Sequence, residues 1–236
     1  LSDYVAAHAP LGRVYLPTAS YPEMMEWALP PDASNEFKAC IEQTERLPFG
    51  ERFRQFLRGG LWRTFLAKYP ESNQIQKYML DLSNRLEKAE TAVPQGAEAT
   101  RLREEAHAYL MAGQCNDAYW HGVFGGLYAP HLRSAVLRNL ITAETLLDRL
   151  EGASQNSAPR ATTKDFDVDG REEILIQHPV FGMTLRPADG GTISSLRFKP
   201  AHAELINSLV RRPEAYHDLV RREVTSAFLM ALARNV

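Results

Sequence analysis

Long apolar runs, cysteine and an excess of either charge are all scarce in this chain. No stretch approaches the ~20 apolar residues that a membrane-crossing helix requires. No secretory leader opens the sequence, so neither membrane insertion nor export is expected. Two cysteines, Cys40 and Cys115, in 236 residues exclude a disulfide framework and point to a reducing, cytoplasmic compartment. A net charge of −2 leaves no electrostatic footprint for nucleic acid or an acidic membrane. Cys115 and His121 have no further cysteine near them that would complete a zinc site. No Gly-rich loop follows a strand in the manner of a phosphate cradle. An initiating methionine is missing as well: the chain opens on Leu1 and reads as a piece of a longer protein.

Apolar side chains, at 44% of the sequence, are ample for a real core. Their spacing predicts an α+β chain: short helices and then a three-helix bundle over 1–150, a linker over 151–164, and over 165–236 the start of an antiparallel β-sandwich domain that this chain does not complete. Ser20 with Glu23 makes a capping box, and Pro22 suits the first turn of a helix whose inner face carries Met24, Trp27 and Ala28. A second helix is expected near Asn35, a good N-cap. Gly59 and Gly60 break the Arg- and Phe-rich segment that follows. Ile75, Met79, Leu82, Leu86 and Ala89 then mark the first bundle helix, with Asp81 placed to pair with Arg85. The second helix is expected over about 97–121. The third starts near Pro130 and buries Leu132, Val136, Leu140, Ala143, Leu147 and Leu150. Beyond the polar linker, EEILIQ, FGMTLRP and ISSLRF read as strands separated by turns at His178-Pro179 and Asp189-Gly190-Gly191. The polar finish NSLVRRPEAYHDLVRREV should wrap another part of the protein.

One stretch breaks the apolar pattern without losing its period. Leu102, Ala106, Tyr109, Leu110 and Gly113 continue into Asn116, Asp117 and Trp120, so polar groups fall where a core helix wants carbon. Each unpaired polar group there costs roughly 1–3 kcal/mol, and such a conflict is where a site is expected. A carboxylate accepts two hydrogen bonds from neighbouring hydroxyls, and an indole covers the C–H face of a pyranose. Asp117 and Trp120, with His121 and Gln114 nearby, therefore suit a sugar. The competing reading has Asp117 satisfied by an arginine of another helix and Trp120 inside the core.

A second candidate is the acidic loop Asp165-Phe166-Asp167-Val168-Asp169-Gly170. Oxygens of Asp165, Asp167 and Asp169 stand at positions 1, 3 and 5 of a calcium loop, with Gly170 at position 6. Ile176 stands where the twelfth-position acid should be; Glu172 or Glu173 could replace it in another loop geometry. The alternative is a plain acidic turn before a strand.

Taken together, these residues amount to a resemblance. QCNDAYWHGVFGGLYAPHLR, GRVYLPTASYPEMMEWALP and FLRGGLWRTFLAKYPESNQIQKYML resemble successive segments of glycoside hydrolase family 57, in its 4-α-glucanotransferase and α-amylase branch. DFDVDGREEIL and LVRRPEAYH resemble the β-rich domain that follows in those enzymes. The resemblance implies a retaining enzyme acting on α-1,4-glucans or maltooligosaccharides, with no cofactor required. It implies that Asp117 and Trp120 border the donor sugar, with Asn116, His121 and Gln114 as further contacts. The nucleophilic glutamate and the aspartate acid/base belong to a (β/α) barrel expected before Leu1, so no catalytic residue is assigned within this chain. The expected partners are that missing barrel and the rest of the β domain, and the resemblance also implies a homodimer. A non-catalytic glycan-binding or interaction module is the alternative from another class.

Overall fold

The computed structural model describes residues 2–9, 11–13, 20–92, 96–121, 125–153, 158–218 and 220–221. The chain divides into two compact units, Leu1–Phe65 with Glu214–Val236, and Leu66–Pro213.

In the first unit the helices are short: α1 (Ser2–Ala7), α2 (Pro22–Trp27), α3 (Pro31–Glu45) and α4 (Gly50–Arg54), with α5 (Trp62–Lys68) beginning at its end. Met24, Ala28 and Phe65 are buried. Trp27 is half-buried with its ring 5.9 Å from that of Tyr216. The expected capping box is not formed: Tyr21 is the N-cap of α2 and no side chain caps it. Pro22 fills the first helical position, where the missing N–H would have been unsatisfied anyway. Likewise α3 begins at Pro31 rather than at Asn35; Asn35 instead donates to Asp218 (3.3 Å). Gly59 and Gly60 do break the segment, for a steric reason. A Cβ at Gly59 would come 2.3 Å from the Met25 carbonyl oxygen, and one at Gly60 would come 2.6 Å from Ala28 Cβ. The Gly60 amide donates to that same Met25 carbonyl (2.7 Å).

The second unit carries the three long helices α6 (Pro70–Ala92), α7 (Ala97–Ala112) and α8 (Pro130–Leu150). Their apolar stripes meet as a bundle: Ile75, Leu82, Leu86 and Ala89 from α6, Leu102, Ala106 and Leu110 from α7, and Val136, Leu140, Ala143, Leu147 and Leu150 from α8. Each large side chain contributes roughly 1.5–3 kcal/mol on burial. Two details differ from the expected pattern. Tyr78 takes the buried position beside Ile75 while Met79 is half-buried, because the Tyr78 hydroxyl finds an acceptor inside. Arg85 does not pair with Asp81: its guanidinium meets Asp148 (2.7 Å) and Glu151 (2.9 Å) on α8, leaving Asp81 to Lys164 (2.8 Å).

After the bundle comes an antiparallel meander, β1 (Arg160–Lys164), β2 (Glu173–Gln177), β3 (Phe181–Arg186), β4 (Thr192–Phe198) and β5 (Ala203–Glu204), in that order across one sheet. Strands β2 to β4 are the three expected ones, and the expected glycine turn is real, with Gly190 and Gly191 at φ 73 and 74. Strand β1 was not anticipated. Its residues RATTK are all exposed, so no buried face marks it in the sequence. Within the polar finish, Asn207 accepts from Arg133 Nε (2.7 Å) and donates to Ser134 (2.9 Å). Arg212 pairs with Glu71 (2.9 Å), so this part of the segment does wrap back onto helices α6 and α8.

Sheet and bundle are joined by charge as well as by carbon. Glu144 on α8, almost wholly buried, accepts from Arg197 Nε of β4 (3.0 Å) and from the Tyr78 hydroxyl (2.6 Å). Lys199, equally buried, reaches Asp148 (2.5 Å) and Glu144 (3.3 Å). The Arg197 guanidinium lies 4.7 Å from the Tyr78 ring centroid. Gly182, its partner on β3, leaves the room: a Cβ there would stand 2.5 Å from Arg197 Nη2. Burial alone would push the Glu144 carboxyl up. Arg197, Lys199, the Tyr78 hydroxyl and Arg85 more than offset that and hold it at about 2.

Replacing Glu144 by Leu should therefore cost about 3–5 kcal/mol, since it strands buried cations; the midpoint of urea unfolding at constant slope reads this out. The acid limb follows with a definite sign. Because the folded carboxyl titrates near 2 against an ordinary 4.5, its contribution is complete above pH 4.5 and is lost as pH falls toward 2. Stability measured from pH 6 down to 2 should fall over that window, and Glu144→Gln should flatten the slope there.

Candidate functional site

Helix α7 stops well short of the expected His121. It ends at Ala112, and Gly113 follows as its C-cap. Glycine costs about 1 kcal/mol relative to alanine inside a helix, and here it also makes room: a Cβ at Gly113 would lie 2.5 Å from Leu140 Cδ2 on α8. The chain then turns through a 3-10 segment, Asn116–Ala118. The conflict between apolar period and polar residues is thus resolved by breaking the helix. Asn116 and Asp117 leave the buried stripe and face solvent instead of requiring partners inside.

Gln114, Cys115, Asn116 and Asp117 are exposed, Ala118 and Tyr119 are buried, and Trp120 is half-buried. Among the described residues the Asp117 carboxylate has neither a hydrogen-bond partner nor an ion-pair partner. It does not meet an internal arginine, and the indole is not sealed in the core. Gln114 Nε2 rests 3.6 Å from the Met79 sulfur. His121 points the other way. It is buried, with Nδ1 3.3 Å from the Gly125 carbonyl oxygen and its ring 4.5 Å from Tyr128 and 6.1 Å from Tyr69, both edge-on. Arg212 and Arg211 lie over the Tyr69 and Tyr128 rings at 5.7 and 5.5 Å. The turn therefore leaves Gln114, Asn116 and Asp117 exposed and Trp120 half-buried, and uses His121 as a packing group.

Three backbone anchors, none anticipated, hold this turn. Ser72 on α6 donates to the Tyr119 carbonyl (2.6 Å), the Tyr119 hydroxyl donates to the Gly113 carbonyl (2.6 Å), and the Leu127 amide donates to the Trp120 carbonyl (2.7 Å). Gly126, at φ 44, passes so close that a Cβ would stand 2.0 Å from the Trp120 carbonyl oxygen. Burial raises the Tyr119 hydroxyl well above its ordinary value, so it stays a donor. Ser72 was legible in principle: it stands three residues before Ile75 on the buried stripe, a hydroxyl where carbon is expected.

In the acidic loop the carboxylates gather around backbone amides and one arginine. Asp165 accepts from the Asp169 and Gly170 amides (3.0 and 3.1 Å), and Asp169 accepts from the Arg171 amide (2.9 Å). Glu173 accepts from the Phe166 amide (2.8 Å). Oxygens of Asp165, Asp167 and Glu173, rather than Asp169, approach within 4.8 Å of one another. Arg186 already supplies the cation, hydrogen-bonded to Asp167 and 3.7 and 3.9 Å from Asp169 and Glu173. Arg186 and the backbone amides take up most of these oxygens, while Asp167 Oδ1 is buried without a hydrogen-bond partner among the described residues.

The family profile described as alpha-amylase/4-alpha-glucanotransferase, middle domain, matches residues 60–147; that for the C-terminal region of the same enzymes matches residues 165–228. The chain is similar to Alpha-amylase 1 of Dictyoglomus thermophilum, 43% identical over 217 residues that cover 92% of this chain and 29% of that protein. It is similar to the 4-alpha-glucanotransferase of Thermococcus litoralis, 40% identical over 92% of this chain and 29% of that one. The crystal structure of the Thermococcus litoralis enzyme superposes with a TM-score of 0.68, covering 92% of this chain and 31% of the other. The chain thus spans about 30% of the length of these relatives. It belongs to the α-amylase/4-α-glucanotransferase family of glycoside hydrolase family 57 type, matching that family's middle and C-terminal regions.

Proposed function

We propose that the parent protein is a retaining 4-α-glucanotransferase or α-amylase acting on α-1,4-glucans, and that this chain supplies sugar-binding groups and not the reacting carboxylates. The observation that carries the reading is the exposed Asp117, whose carboxylate has no partner among the described residues, three positions before the half-buried Trp120. An ionised carboxylate can accept from two vicinal sugar hydroxyls, while the indole covers the ring's C–H face. Asn116 and Gln114 add an amide each on the same side. His121 acts from beneath, packed on Tyr128. A negative charge at this position also favours the positive charge that develops at an anomeric carbon when the glycosidic bond breaks.

Retaining chemistry needs two carboxyl groups ~5–5.5 Å apart across that bond. Two groups of close acids described in this chain already hold cations. Glu144 and Asp148 hold Lys199, and Asp167 holds Arg186. The nucleophile and the acid/base are therefore assigned to the part of the parent outside these 236 residues, as is the surface that excludes or admits water and so decides between transfer and hydrolysis. The two exposed free thiols, Cys40 and Cys115, fit a reducing, cytoplasmic setting.

Titration calorimetry with maltoheptaose tests the reading. Asp117→Ala and Trp120→Ala should each weaken binding about tenfold or more, while Asp117→Ala changes unfolding free energy by no more than about 0.5 kcal/mol, as expected for an exposed group. A large stability loss with unchanged affinity would return both residues to a structural role. In a reducing-sugar and disproportionation assay the chain alone should show no turnover; turnover would contradict the placing of both catalytic carboxylates elsewhere.

A further inference from the structure

The exposed side chains of the 114–120 turn stand on a framework that the sugar itself would not touch. Ser72 has no exposed surface. A serine within a helix ordinarily bonds back to its own preceding turn or faces water; this one donates across the unit to the Tyr119 carbonyl, 47 residues later in sequence. Tyr119, itself buried, spends its hydroxyl on the carbonyl of Gly113, the residue at which α7 ends. The two bonds fix the carbonyls at both ends of the turn, and the Leu127 amide fixes that of Trp120. Between these anchors lie Gln114, Asn116 and Asp117, whose side chains face outward.

We propose that Ser72 and Tyr119 are positioning residues for carbohydrate: by holding the Tyr119 and Gly113 carbonyls they set the Asn116–Trp120 turn in its sugar-receiving form before any sugar arrives. This deepens the proposed function and rests on it. Neither hydroxyl contacts ligand. Each removes conformations of the turn that binding would otherwise have to suppress, and affinity is gained because less order must be created on association. A hydroxyl confined to a core role would leave affinity alone. A positioning hydroxyl ties affinity to the order of the turn.

The test uses the 236-residue chain, maltoheptaose titration, and amide hydrogen exchange of residues 114–120 without sugar. Ser72→Ala and Tyr119→Phe should each lower affinity about tenfold and speed exchange in the turn, while α6 and α8 keep their protection. Ser72→Thr, which restores the hydroxyl, should bind within about twofold of the unsubstituted chain. Leu86→Ala, a buried change on α6 away from the turn, is the control for destabilisation. Measured where it remains folded, it should bind normally. Should Ser72→Ala fail to fold, Tyr119→Phe removes a single oxygen and leaves no cavity, so the inference is still decided. Normal affinity in Tyr119→Phe, or an equal loss in Leu86→Ala, overturns the positioning role alone. If Asp117→Ala binds as tightly as the unsubstituted chain, or that chain does not bind, the reading of the site falls instead.

Discussion

The second unit depends on a buried carboxylate that faces two cations and a phenol. Glu144 and Asp148 lie one helical turn apart on α8 and are met by Arg197 and Lys199 from the sheet and by Tyr78 and Arg85 from α6. Removing these charges from water is expensive, and their mutual attraction offsets the cost only in one arrangement. Hydrophobic contact is non-directional, whereas these bonds fix particular partners, Arg197 with Glu144 and Lys199 with Asp148. Gly182 belongs to the same constraint, because a side chain there would displace the Arg197 guanidinium.

That fixed relation reaches the candidate site through α6. The helix that presents Tyr78 and Arg85 to the cluster presents Ser72 to the carbonyl of Tyr119 and Glu71 to Arg212. The turn carrying Asp117 and Trp120 is thus set against an element whose position is settled elsewhere. Arg212 and Arg211 cover the tyrosines beneath His121, so residues after the last strand contribute to the floor of the turn.

Much of this was legible in the residues and some was not. Period carried the three long helices and the strands β2 to β4, because each buries one face and burial is what period records. Strand β1 buries nothing and left no trace. The candidate site stood out at Asn116 and Asp117 as polar residues on an apolar stripe. The stripe suggested a helix running on to His121, yet a free energy cost can be avoided by ending the helix, and Gly113 does so. His121 reads in sequence like its neighbours and is distinguished from them only by the two tyrosines that enclose it. Partner choice was the other blind spot. Arg85 stands four residues from Asp81, but spacing along one helix could not reveal that Asp148 on α8 and Glu151 at its end lie within reach of the guanidinium.

One strand carries a consequence beyond its own ladder. β1 closes one side of the meander, paired to β2 and to nothing on its far side among the described residues, and a bare flank of this kind can recruit strands from other molecules. Here it is short and bracketed by Arg160 and Lys164, the latter drawn to Asp81 and lying over the Phe166 ring. Charge repulsion between like flanks takes the place of a physical cover.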